Sequence, residues 1–119
     1  MEALHISNGA GSELPPDNAY SFWRDLTFDI RSSERSIYLI GNGASASMAS
    51  HMAADLAKNA HVHTEVFSDL SLITAISNDI SFDEVFSEPL RRRMKKHDML
   101  VAISSSGCSP NVLRAVETA

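Results

Sequence analysis

Two turns in this sequence carry glycine and hydroxyl groups in a pattern that suits a phosphate. The first, Gly41-Asn42-Gly43-Ala44-Ser45, lies between the apolar run Ile37-Tyr38-Leu39-Ile40 and a helical stretch containing Asp55. The second, Ser104-Ser105-Ser106-Gly107-Cys108-Ser109, follows another apolar run and precedes Pro110. A strand that turns directly into a helix leaves the first helical N–H groups unpaired, at the positive end of the helix dipole, where an anion is favoured. Gly41 and Gly43 let the backbone bend sharply and come close to a ligand. Ser45 and Ser47 add neutral hydroxyl donors. In the second turn only Ser109 is needed as a helix cap. Three more consecutive serines at the tip of an apolar strand have no packing purpose. Phosphate or sugar binding is therefore the reading for Ser104, Ser105, Ser106 and Ser109, with a plain capped turn as the bland alternative.

Other polar residues are less specific. His51 and Asp55 lie four apart and share a helix face with Ser47. That face is nearly opposite Ala49, Met52 and Leu56, so it points away from the domain's own core. Asn78-Asp79 reads as a helix-terminating turn or as a ligand contact. Cys108 sits near a helix start, a setting found for reactive thiols, but a small buried thiol is the simpler role. His5, His61, His63 and His97 are scattered and read as structural or surface groups, and Trp23 as a packing residue.

The elements that must position these residues alternate between strand and helix. Residues 1–18, with Asn8-Gly9-Ala10-Gly11-Ser12 and Pro15-Pro16, read as a mobile N-terminal arm, and residues 19–119 as one domain. Asp17 or Asn18 caps a helix through about Ser32, with Phe22, Leu26 and Ile30 as its buried stripe. A strand over Ser36–Ile40 leads to a helix from Ala46 to about Asn59, which buries Ala49, Met52, Ala53 and Leu56. A short strand spans His61–Phe67, and a helix Leu70–Ser77. Another helical stretch starts at Ser81 or Phe82 and is interrupted or restarted at Pro89. Met99–Ile103 is apolar throughout, as a central parallel strand is, and a last helix opens at Pro110. This order predicts a doubly wound parallel α/β sheet with ligands at the strand C-termini. Three strands leave an open edge.

Composition narrows the class. The chain has 119 residues, a net charge of −5 and 44% hydrophobic residues, with one cysteine. It holds no apolar run near the roughly 20 residues of a membrane span, and no signal-peptide pattern at the start. One cysteine excludes an internal disulfide and fits a reducing compartment, so the expected location is cytoplasmic. The acidic balance argues against nucleic acid. The basic cluster Arg91-Arg92-Arg93-Met94-Lys95-Lys96 reads as a solvated helix face.

Four segments in order, Gly41–Ala46, His51–Leu56, Ala75–Asp79 and Ile103–Leu113, resemble the motifs of the sugar isomerase (SIS) domain. Within it they are most similar to the phosphoheptose isomerase branch. The resemblance covers residues 36–119. It implies a three-layer α-β-α, flavodoxin-like parallel sheet, five-stranded in that family, of which this sequence lacks the C-terminal strands. It implies a homotetramer with interfacial sites and a reaction that turns sedoheptulose 7-phosphate into heptose 7-phosphate for surface-polysaccharide precursors. Substrate contacts are implied for Asn42, Gly43, Ala44 and Ser45, for Asn78 and Asp79, and for Ser104, Ser105, Ser106 and Ser109. His51 falls at a zinc-binding histidine and Asp55 at a glutamate that serves as both ligand and acid/base. An enediol proton transfer would then use Asp55 as base, His51 as metal ligand or acid, and Asp79 as a sugar-hydroxyl acceptor. Zinc is the one cofactor implied, with no organic cofactor.

The sequence departs from that pattern in four places. Asp55 is one methylene shorter than glutamate, Ala44 replaces a glycine, and Asn59 stands where the family tends to carry an arginine. The family's C-terminal glutamine and histidine have no counterpart in these residues. A catalytically silent SIS module that binds phosphosugars or a protein is therefore the alternative. A third reading is a dinucleotide-binding fold, because Gly41-x-Gly43-x-x-Ala46 fits that fingerprint too, with Glu65 as the nearest acidic residue after the second strand.

Overall fold

The computed structural model describes residues 4–119. Its elements are α1 (Pro16–Ser32), β1 (Ser36–Gly41), α2 (Ala44–Ala60), β2 (His63–Val66), α3 (Leu70–Asp79), α4 (Ser87–Arg93), β3 (Met99–Ile103) and α5 (Pro110–Thr118). A short 3-10 turn, Phe82–Glu84, precedes α4. The three strands are parallel in the order β2-β1-β3. Alternation along β1 divides the core between two faces. Ile37 and Leu39 meet Ile30 of α1, Ala49 and Ala53 of α2 and Val62. Tyr38 and Ile40 meet Ile76 of α3, Val85 and Phe86, Leu90 of α4, and Val112 and Ala115 of α5. The result is the expected three-layer α-β-α domain.

β1, not β3, is the central strand. Its residues from Ile37 onward are all buried, whereas β3 lies at the edge and exposes Ala102. An apolar run shows only that both strand faces are covered; which strand has neighbours on both sides is set by the crossovers. From β1 the chain crosses over one face through α2 to β2, then over the other face through α3 and α4 to β3. The turns after β1 and β3 therefore diverge to opposite faces, which makes the β1–β3 boundary the topological switch point, the place at which such sheets bind ligands.

Local chemistry accounts for most boundaries. Asp69 caps α3 by accepting the Leu72 N–H at 3.1 Å. Pro89 is the third residue of α4, where its missing N–H removes no helical bond. His61 ends α2 in a left-handed conformation, φ 54°. Other boundaries differ from expectation. α1 opens at Pro16 with no side-chain cap from Asp17 or Asn18. Of the expected stripe, Ile30 is buried and Leu26 packs against the core, but Phe22 is 66% exposed, and Thr27 is buried as well, returning its hydroxyl to the Trp23 carbonyl at 2.9 Å. Residues 6–14 of the arm close a small loop in which Asn8 Oδ1 accepts the Ala10 and Ser12 N–H groups.

Candidate functional site

Pairing of β1 with β3 sets Gly41 level with Ile103, so the glycine turn and the serine loop leave adjacent strands at the same height. The glycine turn is tight. A Cβ on Gly41 would lie 2.7 Å from the Ser45 carbonyl carbon and oxygen. Gly43 takes φ 54° and ψ −122°, a backbone that side chains with a Cβ avoid. The Asn42 carbonyl accepts the Ser45 N–H at 2.9 Å, and the Gly43 carbonyl accepts the Ala46 and Ser47 N–H groups at 3.0 and 3.2 Å. The Gly43 and Ala44 N–H groups find no acceptor among the described residues. α2 thus starts at Ala44, two residues earlier than expected, and presents its positive end beside the serine loop.

The serine loop braces itself. Ser104 Oγ accepts the Gly107 N–H at 3.1 Å and Ser106 Oγ the Cys108 N–H at 3.2 Å. Ser105 is exposed, with no hydrogen bond among the described residues. Ser109 caps α5 through its main chain alone, its carbonyl accepting from Val112 and Leu113 at 3.0 Å, and its hydroxyl makes no cap bond. Cys108 is an exposed free thiol, so the expected buried role does not hold. The two turns are joined by their amides: Asn42 and Asn111 exchange two hydrogen bonds of 2.9 Å.

A cavity of about 170 Å³ lies over the β1–β2 side of the glycine turn, lined by Asn42, Gly43, Ser50, Ser68, Phe82 and apolar neighbours. None of the four serines of the β3 loop lines it. Asn78 and Asp79 do not line it either. They form the last turn of α3 rather than a loop after it, and Asp79 borders a separate groove between α3 and α4.

His51 and Asp55 stand on the outward face of α2, 84% and 49% exposed at their side chains. His51 Nε2 is 3.5 Å from Asp55 Oδ2, and Lys58 Nζ is 3.9 Å from Asp55 Oδ1. This pair borders an open groove of about 870 Å³ between α1 and α2, with Phe28, Arg31, Met48 and Met52 among its walls. A zinc site needs three or four ligands. No cluster of three histidine, cysteine or acidic side chains suited to a metal exists among the described residues. The two donors present do not make that site alone, and no step is assigned to a metal.

Sequence reasoning missed the polar cluster behind the serine loop. Glu84 is 8% exposed and accepts from Ser87 Oγ and Arg91 Nη2, each at 2.6 Å, and from Arg114 of α5. The Ser87 hydroxyl first, then the two guanidinium groups, hold its carboxyl down at about 2. The Asp83-Glu84 pair before Arg91-Arg92-Arg93 was the available signal. Arg92 and Arg93 lie on a solvated helix face and are paired, Arg92 with Glu88 at 2.8 Å and Arg93 with Glu65 at 3.1 Å, whereas α4 ends at Arg93 and the expected helix face does not extend to Lys95 and Lys96. Glu65, the acidic residue nearest to a ribose position, is thereby paired with Arg93 at the surface.

The family model described as SIS domain matches residues 24–119. This chain belongs to the SIS domain family. The phosphoheptose isomerase of Desulfovibrio desulfuricans is 44% identical over 89 residues, which span 70% of this SIS chain and 42% of that protein. That of Helicobacter pylori is 38% identical over 100 residues, 79% of this chain and 52% of its own. The structure of phosphoheptose isomerase from Neisseria gonorrhoeae superposes with a TM-score of 0.79 at 35% identity, over 85% of this chain and 55% of its own. A phosphoheptose isomerase structure from Francisella tularensis gives 0.77 at 26% identity, over 88% and 57%. This SIS chain thus spans about half the length of the relatives it matches. No helix among the described residues is long and apolar enough to cross a membrane.

Proposed function

We propose that this SIS domain serves a phosphoheptose isomerase, interconverting sedoheptulose 7-phosphate and D-glycero-D-manno-heptose 7-phosphate in the cytoplasm, in the supply of surface-polysaccharide precursors. The observation that carries the reading is the pair of hydroxyl-lined turns on adjacent parallel strands, in a fold that superposes on solved phosphoheptose isomerases. The Gly43 and Ala44 amides and the serine loop hold the phosphoryl group with neutral donors and a helix dipole. Asp55 takes the C–H proton and His51 orients or protonates, while Asp79 loses the sugar-hydroxyl role expected of it because it borders a separate groove.

Because His51 and Asp55 face outward beside the apolar side chains of Phe28 and Met48, a second copy of the chain closes the site, in a homotetramer. A zinc ion belongs to the same proposal only with donors from outside the described residues. The test is turnover of sedoheptulose 7-phosphate by the full-length oligomer, with and without zinc, and by its Asp55→Ala variant. Turnover that Asp55→Ala abolishes supports the proposal; a full-length, zinc-supplied oligomer without turnover rejects it. The shorter reach of Asp55 favours one second reading, a silent module, which saturable sugar-phosphate binding without turnover would establish.

A further inference from the structure

We propose that Asn111 is a positioning residue whose carboxamide, paired with that of Asn42, locks the two phosphate-binding turns into one relative geometry. The proposal rests on the phosphate-binding reading of those turns. Each turn is preformed by its own bonds: Ser45 N–H to the Asn42 carbonyl in one, Gly107 and Cys108 N–H groups to serine hydroxyls in the other. Nothing in those local bonds fixes one turn against the other. The strand ladder stops at Gly41 and Ile103, and past it the chain diverges to opposite faces of the sheet. Beyond that ladder, the two Asn42–Asn111 bonds are the only hydrogen bonds between residues 42–47 and 104–111 among the described residues.

The chemistry of the pair is selective. A carboxamide carries a donor and an acceptor side by side on one planar group, so two of them close a two-bond ring. Asn111 is 2% exposed, which keeps water from competing for the ring. One turn further along α5, Arg114 bonds Glu84, so the helix is anchored on both sides of its first turn. The side chain of Asn42, for which a substrate contact was expected, is occupied by Asn111. The ligand is thus held by turns that Asn42 aligns.

The test compares wild type with Asn111→Leu, close in volume but without the ring, and with Asn111→Asp, which accepts but does not donate when ionised. Amide hydrogen exchange should show protection at Ser45, Ala46 and Ser47, the bonded amides of the glycine turn, reduced about tenfold in Asn111→Leu, with α3 and β2 unchanged. Sedoheptulose 7-phosphate should bind about tenfold more weakly. Asn111→Asp should share both defects at neutral pH and lose them as the pH falls towards about 4, because a protonated carboxyl donates to Asn42 Oδ1 again. A general loss of packing would not recover with acid. Wild-type protection at residues 45–47 in Asn111→Leu, or in Asn111→Asp at neutral pH should the leucine variant not fold, overturns the lock. Reduced protection with undiminished binding overturns the positioning role. A wild type that binds no sugar phosphate rejects the proposed function, while the exchange measurement still decides the lock.

Discussion

Gly41 and Ser45 approach so closely that a Cβ on the glycine would stand 2.7 Å from the serine carbonyl. The contact is with backbone, which cannot rotate away. Gly43, two residues on, has open space around its missing Cβ but a positive φ. One glycine is therefore required by packing and the other by conformation. Gly41→Ala should cost about 1–3 kcal/mol through overpacking, and Gly43→Ala about 1–3 kcal/mol through backbone strain alone, since its φ 54° and ψ −122° lie outside the regions open to a residue with a Cβ. Denaturant unfolding measures both. A Gly41→Ala protein as stable as wild type would contradict the tight turn.

Acid should weaken the anchorage of α5. The Glu84 carboxyl is held at about 2 against an ordinary 4.5, chiefly by Ser87, then Arg91 and Arg114. A depressed folded pKa gives stability that is complete above the unfolded value and is lost as pH falls through the folded one. Unfolding free energy should thus fall from about pH 4.5 towards pH 2, and Glu84→Gln should flatten that window. An unchanged acid profile in Glu84→Gln would remove the assignment.

Reach, rather than charge, is what Asp55 lacks against the glutamate of the family it resembles. Misplacement of a reacting group by about 1 Å costs about 100-fold in rate. Asp55→Glu should therefore raise kcat by up to about 100-fold with little change in KM. Its thermal stability should not move, since the side chain is half exposed. Steady-state kinetics decide this. A glutamate variant that gains turnover absent in wild type would identify the natural chain as a silent module.

Within the serine loop, binding and bracing fall to different residues. Ser105→Ala should weaken sugar-phosphate binding by about 3–10-fold, the worth of one neutral hydrogen bond, without lowering the melting temperature. Ser104→Ala should lower both, because its hydroxyl also accepts the Gly107 N–H. Calorimetry and thermal melts on the two variants separate these effects, and identical behaviour would refute the division.

What the sequence determined by itself is local. Met99–Ile103 is a strand and Pro110 opens a helix because those states follow from neighbouring sterics and from proline's fixed φ. The two glycine and serine turns were legible for the same reason, as was the outward face of His51 and Asp55. Tertiary structure decided everything that depends on partners far along the chain. It made β1 central and β3 an edge, left Phe22 and Cys108 exposed, folded Asn78 and Asp79 into the end of α3, and paired Asn42 with Asn111 across 69 positions. Apolar periodicity says which side of an element is buried, whereas the element lying against that side is chosen by the crossovers, and only packing brings distant polar groups within 3 Å.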